Sequence, residues 1–199
     1  MIKAIIFDCF GVLTTDSWRA FIDGLPPTAD IERARELNHA VDAGLITQDE
    51  FLQGAAEATG VQPSDIERKL GGEVVKNLPL LEYIRELKAQ GYSIGLLSNI
   101  SSNWIRSEFL TDDEQDLFDE MILSYEVGMT KPDPRIFMLA CERLRTGPHE
   151  TVLVDDIESY IAAAHAEGLK GLVYRDLDQL KQEIHILLNT NDKPLGSAT

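Results

Sequence analysis

The chain has 199 residues, enough for one well-buried core with a small appendage. Asp and Glu number 34 against 18 Lys and Arg, a formal net charge of -16. Such a surface repels nucleic acid and acidic membranes, so neither is an expected partner, and an anionic ligand needs a local positive source such as a metal ion, a lysine or helix N-termini.

Cys9 and Cys141 are too few for a disulfide framework and suit a reducing compartment. The apolar run before Asp8 is too short for a signal peptide or a membrane span, so the expected location is the cytoplasm. That run, Ala4–Phe7, reads as a strand covered on both faces; it ends on Asp8, and Gly11 follows in a tight turn. N-cap residue types around Asp16 and Ser17 start a helix that Pro26 and Pro27 interrupt. Residues 29–43 carry Ile31, Ala34, Leu37 and Val41 at helical spacing, and Gly44 stops them. Thr47 and Glu50 form a capping box for a helix running to Gly60, and Pro63 opens another through about Leu70. No stretch here alternates, so residues 16–76 read as a compact insert of four short helices.

The α/β rhythm returns at Pro79. Helices are predicted over 79–91, 103–110, 134–144, 159–167 and 177–188, and strands over 92–97, 120–123, 151–154 and 169–174. A tail over 191–199 reads as frayed. Five strands separated by helices predict an α/β, Rossmann-like, mainly parallel sheet with right-handed crossovers, whose order periodicity does not reveal.

Chemistry-bearing residues cluster where strands end, the edge at which open α/β sheets bind ligands. They are Asp8, Ser98-Asn99, Lys131-Pro132 and Asp155-Asp156. Adjacent carboxylates repel one another unless a cation compensates, and Mg²⁺ favours hard oxygen ligands. Together with Gly11, Thr14 and the wording of Gly128-Met-Thr-Lys131-Pro-Asp-Pro, these stretches resemble the haloacid dehalogenase (HAD) superfamily of aspartate-nucleophile hydrolases, nearest its small helical-capped phosphatases. The resemblance covers nearly the whole chain. It implies sheet order 5-4-1-2-3, a core domain of residues 1–15 and 77–199, and a substrate-covering cap over 16–76.

The same resemblance implies a set of roles. Asp8 is the nucleophile, Ser98 and Lys131 complete the catalytic set, and Gly11, Thr14 and Asn99 face the substrate. Mg²⁺ is the implied cofactor, held by Asp8, the Phe10 backbone carbonyl and Asp156, with Asp155 acting through water or orienting Lys131. Two positions depart from the pattern. Phe10 stands where the family's phosphatases carry a second Asp that protonates the leaving alcohol, and a phenyl ring cannot do that. Tyr160 stands where Asn is frequent.

In the insert, Trp18 and Phe21 are expected to wall the entrance, the Phe10 ring to pack against the insert, and Arg19 (or Arg33, Arg35 or Arg68) to grip a distal substrate charge. His39 and His165 lack a metal-ligand partner at helical spacing. Alternation turns Cys9 away from the site into the packing. The expected activity is phosphomonoester hydrolysis of a small phosphorylated metabolite by a monomer or homodimer. The alternatives are a binding or regulatory protein that has lost turnover, and a haloacid dehalogenase, whose chemistry needs no Mg²⁺.

Overall fold

The computed structural model describes residues 1–72 and 74–189. The elements run β1 (Ala4–Phe7), α1 (Ser17–Asp23), α2 (Ile31–Asp42), α3 (Gln48–Thr59), α4 (Pro63–Leu70), α5 (Leu78–Ala89), β2 (Ser93–Ser98) and a π-helical turn (Ile105–Phe109). They continue through α6 (Asp112–Gln115), β3 (Glu120–Leu123), α7 (Ser124–Val127), α8 (Pro134–Arg143), a 3₁₀ turn (Pro148–Glu150), β4 (Thr151–Asp155), α9 (Glu158–Ala166), β5 (Lys170–Val173) and α10 (Leu177–Asn189).

The five strands form one parallel sheet in the order β3-β2-β1-β4-β5, the implied order read from the other edge. Its centre is β1, which is buried along its whole length because alternate side chains feed two cores. Ile5 and Phe7 join Val152, Val154 and Ile94 beneath Leu80, Ile84, Leu180 and Ile184. Ala4 and Ile6 join Leu153 and Leu97 beneath Ile136, Phe137, Ile161 and Ala164. Each fully buried aliphatic side chain contributes about 1.5–3 kcal/mol, so the central strands are held in register from both faces. Phe7 pairs with both Leu96 and Val154. Asp8 and Asp155 therefore leave neighbouring strands side by side.

Helices α1 to α4 bury a cluster of their own, made of Phe21, Ile22, Ala34, Leu37, Val41, Phe51, Leu52, Ala55 and Ile66. The capping chemistry read from the sequence is present. Asp16 accepts the Arg19 N–H, and Thr47 and Glu50 bond reciprocally. The end of α2 meets the sheet side through two contacts: the Asp42 carbonyl accepts from Ser124 Oγ at 2.6 Å, and His39 Nε2 lies 2.5 Å from Thr130 Oγ1.

Three local expectations change. Residues 105–109 form a π-helical turn, not an α-helix, because the Leu110 N–H reaches the Ile105 carbonyl five residues back. Helix α6 is additional, and its signal was present in the Thr111–Glu114 capping box. Helix α7, also additional, is a single turn closed by Gly128 at positive φ. The expected tail over 191–199 lies outside the described residues. No helix among the described residues is long and apolar enough to cross a membrane.

Candidate active site

Lys131 lies in the loop between α7 and α8, across a cis Lys131–Pro132 peptide, and its side chain is 1% exposed. Nζ sits 2.8 Å from Asp8 Oδ1 and 2.6 Å from Asp155 Oδ2. Burial alone would push the ammonium pKa down, but the two carboxylates outweigh it and hold the group protonated, above its ordinary value. Asp8 Oδ1 also accepts the Cys9 N–H at 2.7 Å, and Asp155 Oδ1 accepts the Ile157 N–H at 2.9 Å. Burial raises Asp8 to about 8, with Lys131 opposing the shift and Asp155 adding to it. Asp8 Oδ1 thus takes both the Lys131 ammonium and the Cys9 N–H, and Oδ2 takes neither.

Asp156 follows on the same strand end. Gly11, at φ +84°, approaches it so closely that a Cβ there would lie 2.5 Å from Oδ2, so only glycine fits both the backbone and the space. Arg19 Nη2 pairs with Asp156 Oδ2 at 2.6 Å, and beyond that ion pair neither buried Asp156 oxygen has a hydrogen-bond partner among the described residues. Burial raises the Asp156 pKa, Arg19 opposes the shift and Asp155 adds to it. Carboxylate oxygens of Asp8, Asp155 and Asp156 lie within 4.8 Å of one another. Three acids face two cations here, Lys131 and Arg19. A hard-oxygen donor set of three clustered carboxylates, with Asp156 oxygens that have no hydrogen-bond partner beyond the Arg19 ion pair among the described residues, fits a Mg²⁺ ion.

The remaining predicted residues divide. Ser98 is fully buried at the end of β2, with Oγ 3.5 Å from the Asn99 carbonyl. The Asn99 amide is committed to the Lys131 backbone: Oδ1 accepts the Lys131 N–H at 2.8 Å and Nδ2 donates to its carbonyl at 2.9 Å. Thr14 Oγ1 is buried and has no hydrogen-bond partner among the described residues. The Phe10 ring packs against the sheet-side core. It stacks on Trp104 at 5.9 Å, because the segment after β2 offers an aromatic face, itself stacked on Phe109. Trp18 packs within the helical insert against Phe21 and Phe51. Arg33 and Arg68 pair within their own helices with Glu36 and Asp65, and Arg35 is exposed.

Tyr160 shows what its departure from the family pattern does. Its ring lies over Lys131 Nζ at 5.2 Å, and its hydroxyl is 3.4 Å from Asn99 Nδ2. Cys9 is a buried free thiol, and burial raises its pKa, which disfavours the nucleophilic thiolate.

A family model of haloacid dehalogenase-like hydrolases matches residues 2–168. The chain belongs to this family. The HAD-like chain is 30% identical over 179 residues to a sesquiterpene phosphatase of Aspergillus oryzae, spanning 87% of this chain and 90% of that one. It is 30% identical over 210 residues to the D-ribitol-5-phosphate phosphatase of Bacteroides thetaiotaomicron, spanning 96% and 100%. Among solved structures it resembles a HAD family enzyme of Bacteroides thetaiotaomicron in complex with magnesium and inorganic phosphate. The TM-score is 0.64 at 26% identity, covering 90% of this chain and 99% of that one.

Proposed function

We propose that this HAD-like hydrolase is a Mg²⁺-dependent phosphomonoesterase acting on a small phosphorylated metabolite through a phospho-aspartate at Asp8. The observation that carries the reading is the buried Lys131 ammonium bridging Asp8 and Asp155 beside Asp156. Asp8 Oδ2 attacks phosphorus, the ester P–O bond breaks, and the leaving oxygen takes a proton from solvent or from the substrate pocket, since Phe10 has none to give. Water then cleaves the acyl phosphate, restoring Asp8 and releasing inorganic phosphate. Lys131 offsets charge on the nucleophile and on the transferring group. Asp8, Asp156 and the Phe10 carbonyl would hold Mg²⁺, with Asp155 as orienting group, and the ion would supply charge neutralisation at the phosphoryl oxygens.

In this reading residues 16–76 are the cap over residues 1–15 and 77–199, Ser98 and Thr14 offer hydroxyls to the phosphoryl oxygens, and Asn99 acts by holding Lys131. The buried free thiols of Cys9 and Cys141 support a reducing, cytoplasmic setting. Neither a dehalogenase nor a catalytically silent binder is favoured by relatives that are phosphatases. The test is a panel of phosphorylated metabolites assayed with Mg²⁺ and with EDTA. Turnover is expected only with Mg²⁺ and is expected to fall at least about 10³-fold in Asp8→Asn. Full activity in D8N would remove the nucleophile assignment.

A further inference from the structure

Asp156 differs from the other two carboxylates of the site. Asp8 and Asp155 each accept a backbone N–H and the Lys131 ammonium. The Asp156 side chain is 8% exposed, yet apart from its ion pair with Arg19 neither oxygen has a hydrogen-bond partner among the described residues. An ionised carboxylate left in that state is costly unless a cation stands beside it. Here the neighbouring cation is Arg19, which arrives from the first turn of α1 rather than from the sheet edge. Its own anchoring is weak: the side chain is 49% exposed, and Nε lies 3.5 Å from Asp16 Oδ2.

We infer that Arg19 is an internal counter-ion for Asp156, and that it alternates there with a divalent cation, so that cation entry releases the Arg19 side chain. The inference rests on the metal-dependent reading above. A cation at Asp156 and the Arg19 guanidinium would compete for the same carboxylate oxygen, in a space that the Gly11 backbone closes on one side. A divalent cation brings one more positive charge to the three acids than the guanidinium it would replace, and so favours their ionised forms. By linkage, whatever holds Arg19 on Asp156 weakens cation binding, and the cation weakens the tie between α1 and the sheet edge by the same factor. The released guanidinium becomes a positive group for an anionic ligand on a chain whose formal charge is -16. Cation binding should therefore precede anion binding.

The experiment is calorimetric titration of the full chain with MgCl₂ alone, comparing wild type, Arg19→Gln and Arg33→Gln, with the arginine Nε–H resonances of the wild type followed by NMR. R19Q removes the side-chain pairs with Asp156 and Asp16 but keeps the backbone N–H that donates to Asp16 Oδ1, and far-UV circular dichroism checks the variant's fold. R19Q is expected to bind Mg²⁺ about tenfold more tightly than wild type, the order of one partly buried ion pair. R33Q, which removes an equal charge from α2, should bind as wild type does, and the Arg19 resonance should move on titration. Binding seen only in R19Q would support the same competition in stronger form. Equal or weaker binding in R19Q, an equal gain in R33Q, or an unmoved Arg19 resonance overturns the inference and leaves the Mg²⁺ reading intact. Absence of binding in both wild type and R19Q overturns the two together.

Discussion

A lysine ammonium that is 1% exposed lies between two carboxylates at 2.8 and 2.6 Å. Removing it strands two buried charges, which costs more than the pair contributes. Lys131→Met should lower stability by about 3–5 kcal/mol, read from urea unfolding. Lys131→Met with Asp155→Asn should recover part of that loss, because one stranded charge is gone. Phe10 poses the complementary question. The proposed chemistry lacks the usual carboxyl for the leaving oxygen, and general acids typically contribute 10²- to 10⁴-fold. Wild type should therefore cleave aryl and acyl phosphates far better than alkyl phosphates, and Phe10→Asp should raise the alkyl rate relative to the aryl rate. The stack with Trp104 is lost in F10D, so the ratio of the two rates in folded protein is the measurement. An unchanged ratio would show that another group supplies the proton.

The loop from Asp8 to Thr14 works as one element. The Cys9 carbonyl gathers the N–H groups of Val12, Leu13 and Thr14, and the Gly11 N–H donates to the Thr14 carbonyl, so the chain reverses directly under the β4 end. Gly11→Ala forces a positive φ on a residue with a Cβ and drives that atom to 2.5 Å from Asp156 Oδ2. The expected cost is about 1–3 kcal/mol in stability. Mg²⁺ affinity measured by calorimetry should fall with it, because Asp156 has to move. A G11A protein with unaltered affinity would place the cation elsewhere.

For the whole molecule, stability should fall on the alkaline side. Burial raises half-buried Asp42 to about 7, against a weaker opposing hydrogen bond from Asn38. Burial likewise raises Asp8 to about 8. Both exceed the unfolded value near 4, so the native state binds more protons through that interval. Their contribution is complete below about pH 4 and is lost as pH rises toward 8. Hydrogen bonds from Arg135 and Lys3 hold Asp133 and Glu150 below the usual carboxylate range, and that smaller contribution is lost as pH falls through it. The urea midpoint of the metal-free protein should therefore be highest near about pH 5 and decline toward pH 8. Asp42→Asn should flatten the decline, and saturating Mg²⁺ should remove the Asp8 share by binding its ionised form. The self-repulsion of 34 acidic against 18 basic residues acts in the same direction.

Much of this was legible locally. The four-residue apolar run of β1, the Thr47–Glu50 capping box and the Gly and Pro stops depend on neighbours along the chain, and they placed most elements to within a residue or two. Asp8, Lys131 and the Asp155-Asp156 pair were legible as candidates because strand ends in parallel sheets share one edge. Their assembly required the register, which sets Asp8 beside Asp155 across β1 and β4, contacts 147 positions apart in the chain. The engagement of Asn99 with the Lys131 backbone, the Tyr160 ring over Nζ, the Phe10 stack on Trp104 and the reach of Arg19 to Asp156 carry no periodic or capping signal. Each joins side chains from different elements through distance and desolvation. Those quantities come into being only when the sheet edge and the helical insert pack together.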